Sequence, residues 1–191
     1  MRNYDYLDII EQAWSAWRQP RPVGGIVHDV GSSNFWYARA LHAFFRPLEL
    51  IGIEIEGHRT YRNGYSRIDY ARGYVEDLPN TRFLTMDYRL IDQLADVVTA
   101  WYPFVTPDPV LAWRLPLSFL APEALFRRVA HNLKPDGILV MINQGIEEMK
   151  TAAVVCSRTG LEFQTLCEVR STLRSRRTPP VVSWWKARAP R

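Results

Sequence analysis

The sequence is poor in cysteine, and this limits the chemistry that the chain can carry. Its 191 residues include two cysteines, Cys156 and Cys167. Two cysteines cannot build a disulfide framework, and these two match no metal-ligand spacing. We therefore expect two reduced thiols in the core, as in cytosolic proteins, and no metal site.

Long apolar runs are also missing. No stretch approaches the roughly 20 apolar residues that a membrane-spanning helix needs. The first residues, MRNYDYLDIIEQAW, contain early acids and no apolar run of the kind found in a signal peptide. We expect a cytoplasmic protein without a membrane segment.

Lysine is scarce among the positive charges. Only Lys134, Lys150 and Lys186 are lysines among the 24 cationic residues, and the net charge is +4. An excess of arginine can follow genome composition as well as phosphate recognition, so charge alone does not select a nucleic-acid partner. The hydrophobic content of 47% is that of an ordinary globular protein.

Apolar periodicity divides the chain into alternating strands and helices. Leu7, Ile10, Trp14 and Trp17 recur at three- and four-residue steps, which predicts a helix over 4–19. Short apolar runs, typical of buried parallel strands, follow it. The predicted strands are 26–30, 48–55, 83–86, 96–100, 138–142, 161–169 and 181–186. The other predicted helices are 35–45, 66–78, 90–94, 122–133 and 146–156.

This order of elements predicts the fold class. Strand and helix alternate between 26 and 156, and two strands then follow one another. We expect an α/β fold, a doubly wound and mostly parallel seven-stranded sheet with a C-terminal antiparallel hairpin. One domain would span 1–191, with an N-terminal helix and linker over 1–22 and a core over 23–191. Ligands of such sheets bind beyond the carboxyl ends of the strands, where strand order reverses.

Acidic residues stand at the ends of three successive predicted strands. Asp29, followed by Gly31, ends the first strand, Glu54 the second and Asp87 the third. Nucleotide-binding folds use a tight turn there and an acid at the second strand that accepts ribose hydroxyl protons. Asp87 could accept a hydrogen bond from an adenine amino group. The agreement at three strands favours one nucleoside-binding crevice over three solvated loop acids.

Together with the turn Lys134-Pro135-Asp136-Gly137 and the terminal hairpin, these residues resemble class I S-adenosylmethionine-dependent methyltransferases. The resemblance covers about 23–188, and the turn is similar to that family's frequent Leu-Lys-Pro-Gly-Gly. It implies a Rossmann-like methyltransferase fold with S-adenosylmethionine as the cofactor. Its methionine moiety would lie near Asp29 and Gly31, with its ribose on Glu54 and its adenine near Asp87. The candidate cofactor-binding residues are Asp29, Gly31, Ser32, Ser33, Asn34, Glu54, Ile55, Asp87, Tyr88 and Trp101.

The loop after the first strand departs from that family's pattern. The family usually has an acid followed by three alternating glycines, and here these positions are Asp29, Gly31, Ser33 and Phe35. A non-glycine residue held at positive φ costs on the order of 1 kcal/mol or more. A serine could, however, donate its hydroxyl to the cofactor's carboxylate. The departure leaves a non-catalytic binding module of the same fold as an alternative.

The acceptor end is expected after the fourth strand, at Trp101-Tyr102-Pro103-Phe104. Methyl transfer requires a nucleophile aligned with the methyl group and about 3 Å from it. An aromatic slot could hold a flat acceptor, with Tyr102 orienting or deprotonating it, so Tyr102 is the candidate catalytic residue. The same rings could instead only cover the sheet edge. Trp14 and Trp17 could form a lid, although packing on the sheet is the simpler interpretation.

Two groups of arginines could help to bind the methyl acceptor. The first alternates with tyrosines, as Arg59, Arg62, Arg67 and Arg72 with Tyr61, Tyr65, Tyr70 and Tyr74. The second lies between the last two strands, as Arg170, Arg174, Arg176 and Arg177. Basic residues among aromatic rings suit single-stranded RNA. A solvated surface or an anionic small molecule is the preferred interpretation. The sequence therefore predicts a small-molecule substrate that is aromatic or anionic, with an RNA methyltransferase as an alternative.

Overall fold

The computed structural model describes residues 2–188, which form seven strands and six α-helices. The strands are β1 Ile26–Val30, β2 Glu49–Glu54, β3 Thr81–Thr85, β4 Ala95–Trp101, β5 Leu133–Asn143, β6 Leu161–Glu168 and β7 Val181–Ala187. The α-helices are α1 Arg2–Trp17, α2 Ala38–Phe45, α3 Arg67–Val75, α4 Pro107–Ala112, α5 Pro122–Asn132 and α6 Ile146–Ser157. Two 3-10 turns cover Tyr88–Leu90 and Leu117–Phe119.

All seven strands join one sheet in the order β3-β2-β1-β4-β5-β7-β6. The strands β1 to β5 pair in parallel, and β7 runs antiparallel between β5 and β6. Strand order reverses between β1 and β4, which is where a doubly wound sheet opens a crevice. The predicted fold class is confirmed, including the C-terminal antiparallel hairpin.

Helices cover both faces of the sheet, and two neighbouring tryptophans in β7 mark the two faces. Successive side chains of a strand point to opposite sides, and both Trp184 and Trp185 are almost fully buried, in different core clusters. On one face, Trp14 and Trp17 of α1 pack on Trp184, with ring centroids 6.1 and 5.1 Å away. The packing interpretation of these two residues is therefore confirmed.

The turn at Lys134–Gly137 lies inside the first half of β5 rather than before it. Leu133 pairs with Ala95 and Ile138 with Val97, so the residues between them bulge out of the ladder. Asp136 has a φ of 67°, and a Cβ on Gly137 would lie 2.9 Å from the Lys134 carbonyl oxygen. The Lys134 ammonium contacts Asp96 at 2.8 Å. This turn therefore organises the amino-terminal edge of the sheet, opposite the crevice.

Between β3 and α5, one predicted helix was wrong and one helix was not predicted. The helix expected over 90–94 is a 3-10 turn that ends at Leu90, because the Asn132 side chain donates to the Ile91 carbonyl and the chain extends there to enter β4. The proline-rich segment after β4, for which no helix is predicted, contains the short helix α4. Prolines are tolerated in the first turn of a helix, where the amide is unpaired in any case.

Candidate functional site

A cavity of about 410 Å³ lies at the carboxyl ends of β1 to β4, where strand order reverses. This volume is within the range of small-molecule sites, about 300–1,000 Å³. Its floor comes from residues that follow the four strands, and its outer walls come from α1, α4 and the segment after α4. Eight predicted site residues line it, namely Gly31, Ser33, Glu54, Ile55, Asp87, Tyr88, Trp101 and Tyr102. Asp29, Ser32 and Asn34 do not.

The glycine-poor loop adopts the left-handed conformation at all three positions where the methyltransferase pattern has glycine. The φ angles are 73° at Gly31, 54° at Ser33 and 55° at Phe35. The Ser33 amide donates to Glu54 Oε2 at 2.7 Å. The Phe35 ring is fully buried against Gly52, where a Cβ would approach it to 2.6 Å. Burial and this hydrogen bond therefore offset the strain of the two non-glycine residues.

Asp29 lies behind the cavity rather than in its wall. Its carboxylate accepts hydrogen bonds from the Thr99 hydroxyl at 2.6 Å and from the Tyr37 hydroxyl at 2.7 Å. Complete burial raises the pKa of Asp29 to about 7, although the hydrogen bonds from Thr99 and Tyr37 act in the opposite direction. Tyr37 does line the cavity, so Asp29 positions a cavity side chain.

Ser32 also lies outside the cavity wall, where it has a structural role. Its hydroxyl donates to the Asp29 carbonyl at 2.7 Å and accepts from the Ile53 amide at 2.9 Å. The side chain is fully buried, and it joins the end of β1 to the end of β2. Asn34 is half-buried in the same turn, outside the cavity wall.

Glu54 forms a buried ion pair that the sequence did not reveal. Its Oε1 lies 2.9 Å from Arg67 Nη1 and accepts from the Glu56 amide at 2.9 Å. Burial raises the pKa of Glu54, and the positive charge of Arg67 opposes that rise. The Arg67 guanidinium also lies over the Trp113 ring, 5.1 Å from its centroid. Its Nε is buried and has no hydrogen-bond partner within the described chain.

Asp87 is paired as well, but near the surface. Its Oδ1 accepts from the Arg89 amide at 2.9 Å and its Oδ2 from Arg89 Nε at 2.8 Å. Partial burial alone would raise the pKa of Asp87, but the hydrogen bonds and charge of Arg89 outweigh it and lower the pKa. The neighbouring Tyr88 is buried, and its hydroxyl lies 3.2 Å from His28 Nδ1.

Aromatic rings form the other end of the cavity. Tyr6 of α1 contacts Trp101, Tyr37 and Trp36, with centroid distances of 4.1, 4.5 and 4.6 Å. Trp101 is 6% exposed, and its Nε1 has no hydrogen-bond partner among residues 2–188. This end of the cavity is therefore lined by aromatic rings, and the buried indole N–H of Trp101 has no partner within the described chain.

Tyr102 ends the same wall in a strained conformation, with a φ of 55°. Such outliers persist where the surrounding structure imposes them, and here the Tyr102 amide donates to the Ile142 carbonyl at 2.7 Å. Burial raises the pKa of the Tyr102 phenol, with Arg176 acting in the opposite direction. A phenol that holds its proton suits an orienting hydrogen bond better than deprotonation of an acceptor.

Sequence reasoning missed several cavity residues, including Tyr6, Arg67, Arg89, Trp113, Gln144 and Glu148. Gln144 directly follows β5, so the search for residues after each strand could have found it. Tyr6 precedes the buried Ile10 by one helical turn, but no pattern shows which strand end α1 faces. Arg67 and Trp113 meet only through the tertiary fold.

Two of the four arginines in the first group are engaged within the chain. Arg67 is buried at Glu54, and Arg59 Nη1 donates to the Trp113 carbonyl at 2.8 Å. Among the tyrosines that alternate with these arginines, Tyr70 packs on Tyr61 with a centroid distance of 5.2 Å. These contacts occupy Arg59 and Arg67, whereas Arg62 and Arg72 are exposed.

Within residues 2–188, no group of three or more potential ligands could hold a metal ion. In the same range, no helix is long and apolar enough to cross a membrane. Both cysteines are free, with Cys156 buried and Cys167 partly exposed.

Comparison with solved structures identifies the fold. A chain of the complex between the Haloferax volcanii Trm112 methyltransferase activator and its proposed methyltransferase has a TM-score of 0.68 at 14% identity, covering 98% of this chain and 92% of that one. The N-methyltransferase NodS of Bradyrhizobium japonicum WM9, in complex with S-adenosyl-L-homocysteine, gives 0.64 at 12% identity, with coverages of 97% and 85%. PH1948 of Pyrococcus horikoshii, a proposed RNA methyltransferase, gives 0.63 at 11% identity, with coverages of 95% and 80%.

No family model matches the sequence, and no curated protein matches it. Identities this low establish the fold alone. The chain has the Rossmann-like fold of class I S-adenosylmethionine-dependent methyltransferases.

Proposed function

We propose that this chain is an S-adenosylmethionine-dependent methyltransferase whose acceptor is a small aromatic or anionic molecule. The observation that carries the proposal is the cavity at the reversal of strand order. Its wall contains Gly31 of the first loop, Glu54 after β2 and Asp87 after β3. The similar fold of NodS, solved with S-adenosyl-L-homocysteine, supports the same cofactor here.

The residues present fit this cofactor. Glu54 would hold the ribose, because three of its roughly four acceptor positions are occupied and one is left for a hydroxyl. Arg67 Nε, which is buried without a partner in the described chain, would donate to a ribose oxygen. Asp87 and Tyr88 would border the adenine, and Gly31 and Ser33 the methionine moiety.

The bound cofactor would supply an electrophilic methyl group, which forms a bond to an acceptor heteroatom as its bond to sulfur breaks and leaves a neutral thioether. The chain's own residues would hold and orient the acceptor. Tyr6 and Trp101 offer ring surfaces, and Tyr102 offers a protonated hydroxyl. For an acceptor that releases a proton, Glu148 is a carboxylate in the same wall.

Calorimetric titration with S-adenosylhomocysteine tests the cofactor assignment. We expect binding to the wild-type protein and at least a tenfold loss in Glu54→Gln, because the charged acceptor for the ribose is removed. Glu49→Gln is the matched control, since Glu49 begins the same strand and pairs with Arg82 at the surface. No binding to the wild type, or equal binding by both variants, would refute the assignment.

A non-catalytic binding module is the alternative that the strained loop at Ser33 and Phe35 favours. It predicts cofactor binding without transfer of a labelled methyl group to any component of a cell extract. Transfer by the wild type and its loss in Glu54→Gln would exclude this alternative. An RNA methyltransferase predicts RNA binding whose affinity falls steeply with salt concentration.

A further inference from the structure

A second cavity of about 400 Å³ adjoins the first at its aromatic end. The two cavities share Tyr6, Tyr102 and Gln144, and the remaining walls of the second come from the loop between β6 and β7, residues 174–180. Tyr102, the residue with the strained backbone, therefore stands at the junction. A molecule that spans the two cavities would lie against this tyrosine.

Three arginines line the second cavity, and they differ in whether a carboxylate pairs with them. Arg176 forms a two-pronged pair with the buried Asp5 of α1, with Nη1 at 2.8 Å from Oδ1 and Nη2 in contact with Oδ2. Arg174 and Arg177 are exposed and form no ion pair or side-chain hydrogen bond with another described residue. The second cavity thus carries two positive charges that no carboxylate neutralises within the described chain.

The loop that carries these arginines is tied down at three points. The Asp5–Arg176 pair joins it to α1. Gly145, at a φ of 89°, lets it approach the end of β5, because a Cβ there would lie 2.6 Å from Thr178 Cγ2. At its base, the Val169 amide donates to the Pro180 carbonyl at 2.9 Å. A loop anchored in this way presents Arg174 and Arg177 with less ordering cost on binding.

We propose that the second cavity is a subsite for an anionic group of the methyl acceptor, a carboxylate or a phosphate ester. Arg174 and Arg177 bind the anion, and the reactive end of the acceptor lies at Tyr102. This inference rests on the function proposed above and names the acceptor's chemical class. Guanidinium groups match the geometry and charge of carboxylate and phosphate oxygens.

The observations favour a small acceptor over RNA at this subsite. The cavity is bounded on one side by α1 through the Asp5–Arg176 pair, and its volume of about 400 Å³ is that of a small-molecule site. Arg59 and Arg67 of the other arginine group are engaged by Trp113 and Glu54. The unneutralised charge at the cavity comes from two arginines, enough for one carboxylate or phosphate ester.

The test uses three small probes: phenyl phosphate, benzoate and the neutral benzamide. Each is titrated calorimetrically into the full chain, with and without saturating S-adenosylhomocysteine. We expect phenyl phosphate and benzoate to bind at least tenfold more tightly than benzamide. The Arg174→Gln/Arg177→Gln variant should bind phenyl phosphate and benzoate at least tenfold more weakly than the wild type does. Arg39→Gln/Arg127→Gln removes the same charge from exposed sites on α2 and α5, outside both cavities, and should keep it.

The outcomes separate this subsite from the proposed function. S-adenosylhomocysteine binding without a preference for the anionic probes would overturn the subsite and leave the cofactor assignment intact. Anion binding that depends on Arg174 and Arg177, with no S-adenosylhomocysteine binding, would support an anion-binding cavity but refute the cofactor assignment and, with it, the role of the anion as part of a methyl acceptor. A single-stranded oligouridylate that binds more tightly than phenyl phosphate, with a steep salt dependence, would replace the small acceptor by RNA.

Discussion

The Glu54–Arg67 and Asp87–Arg89 pairs occupy neighbouring strand ends of one cavity, but they are buried to different degrees. The side chains of Glu54 and Arg67 are 7% and 6% exposed, whereas those of Asp87 and Arg89 are 21% and 35% exposed. Burial dominates at Glu54 and raises its pKa, and the arginine dominates at Asp87 and lowers its pKa. A carboxylate paired with an arginine therefore has a raised pKa at one position of the site and a lowered pKa at the other.

The difference in burial also predicts that the two ion pairs contribute differently to the stability of the protein. A buried charge that loses its partner cannot regain solvation, so the two members of the Glu54–Arg67 pair depend on each other. An exposed pair is worth little, because water replaces either partner. We therefore expect Glu54 to contribute more to the stability of the protein than Asp87, and the side chain of Asp87 to rearrange more easily when a ligand binds.

The largest expected effect comes from Arg67→Met, which keeps the apolar stem over Trp113 and removes the charge. We expect the free energy of unfolding to fall by about 3–5 kcal/mol, because Glu54 is left buried without a counter-charge. Arg89→Met is the matched control and should cost about 1 kcal/mol or less. Urea unfolding of both variants measures the contrast, and similar losses would show that burial does not distinguish the pairs.

Asp29 extends the comparison to a fully buried acid without an arginine. Its folded-state pKa of about 7 exceeds the value of about 3.9 in an unfolded chain, so its stabilising contribution is fully present below pH 3.9 and is lost as the pH rises through 7. Asp29→Asn cannot titrate. From pH 5 to pH 8 the wild type should lose on the order of 2 kcal/mol relative to this variant.

Urea unfolding of both proteins at several pH values measures this difference directly. The comparison with the variant is needed because His28 acts in the opposite sense. Burial lowers the pKa of His28 to about 4, so its contribution is lost as the pH falls. A stability difference between wild type and Asp29→Asn that stays constant with pH would contradict a raised pKa at Asp29.

The smallest effect concerns the loop that supplies the Ser33 amide to Glu54. Ser33→Gly should raise the free energy of unfolding by about 1 kcal/mol, because glycine adopts a φ of 54° without strain. The adjacent Ser32→Gly is the control and should lower stability by about 1–3 kcal/mol, since it removes the buried hydroxyl that donates to the Asp29 carbonyl and accepts from the Ile53 amide. Thermal unfolding of both variants would distinguish them, and destabilisation by Ser33→Gly would argue against strain at this position.

Much of the fold was predictable from local patterns. The apolar runs of β1 and β4 and the amphipathic face of α1 depend on side chains close in sequence, and alternation of elements then limits the topology. The predicted helix over 90–94 was wrong because a distant side chain, Asn132, donates a hydrogen bond to the Ile91 carbonyl. The turn at Lys134–Gly137 was recognised, but its place inside β5 depends on pairing with Ala95 and Val97.

The sequence by itself determined the doubly wound sheet and the acids at successive strand ends, since periodicity and strand order are local properties of the chain. Only the tertiary structure decided how each acid is used. It buried Asp29 behind the wall, paired Glu54 with Arg67 thirteen positions later, and left Asp87 near the surface with Arg89. It also placed Tyr6 over Trp101 and brought Asp5 to Arg176. The contacts of Glu54, Tyr6 and Asp5 join residues that are distant in the chain, and burial shifts the pKa values of the acids, so no spacing in the sequence encodes them.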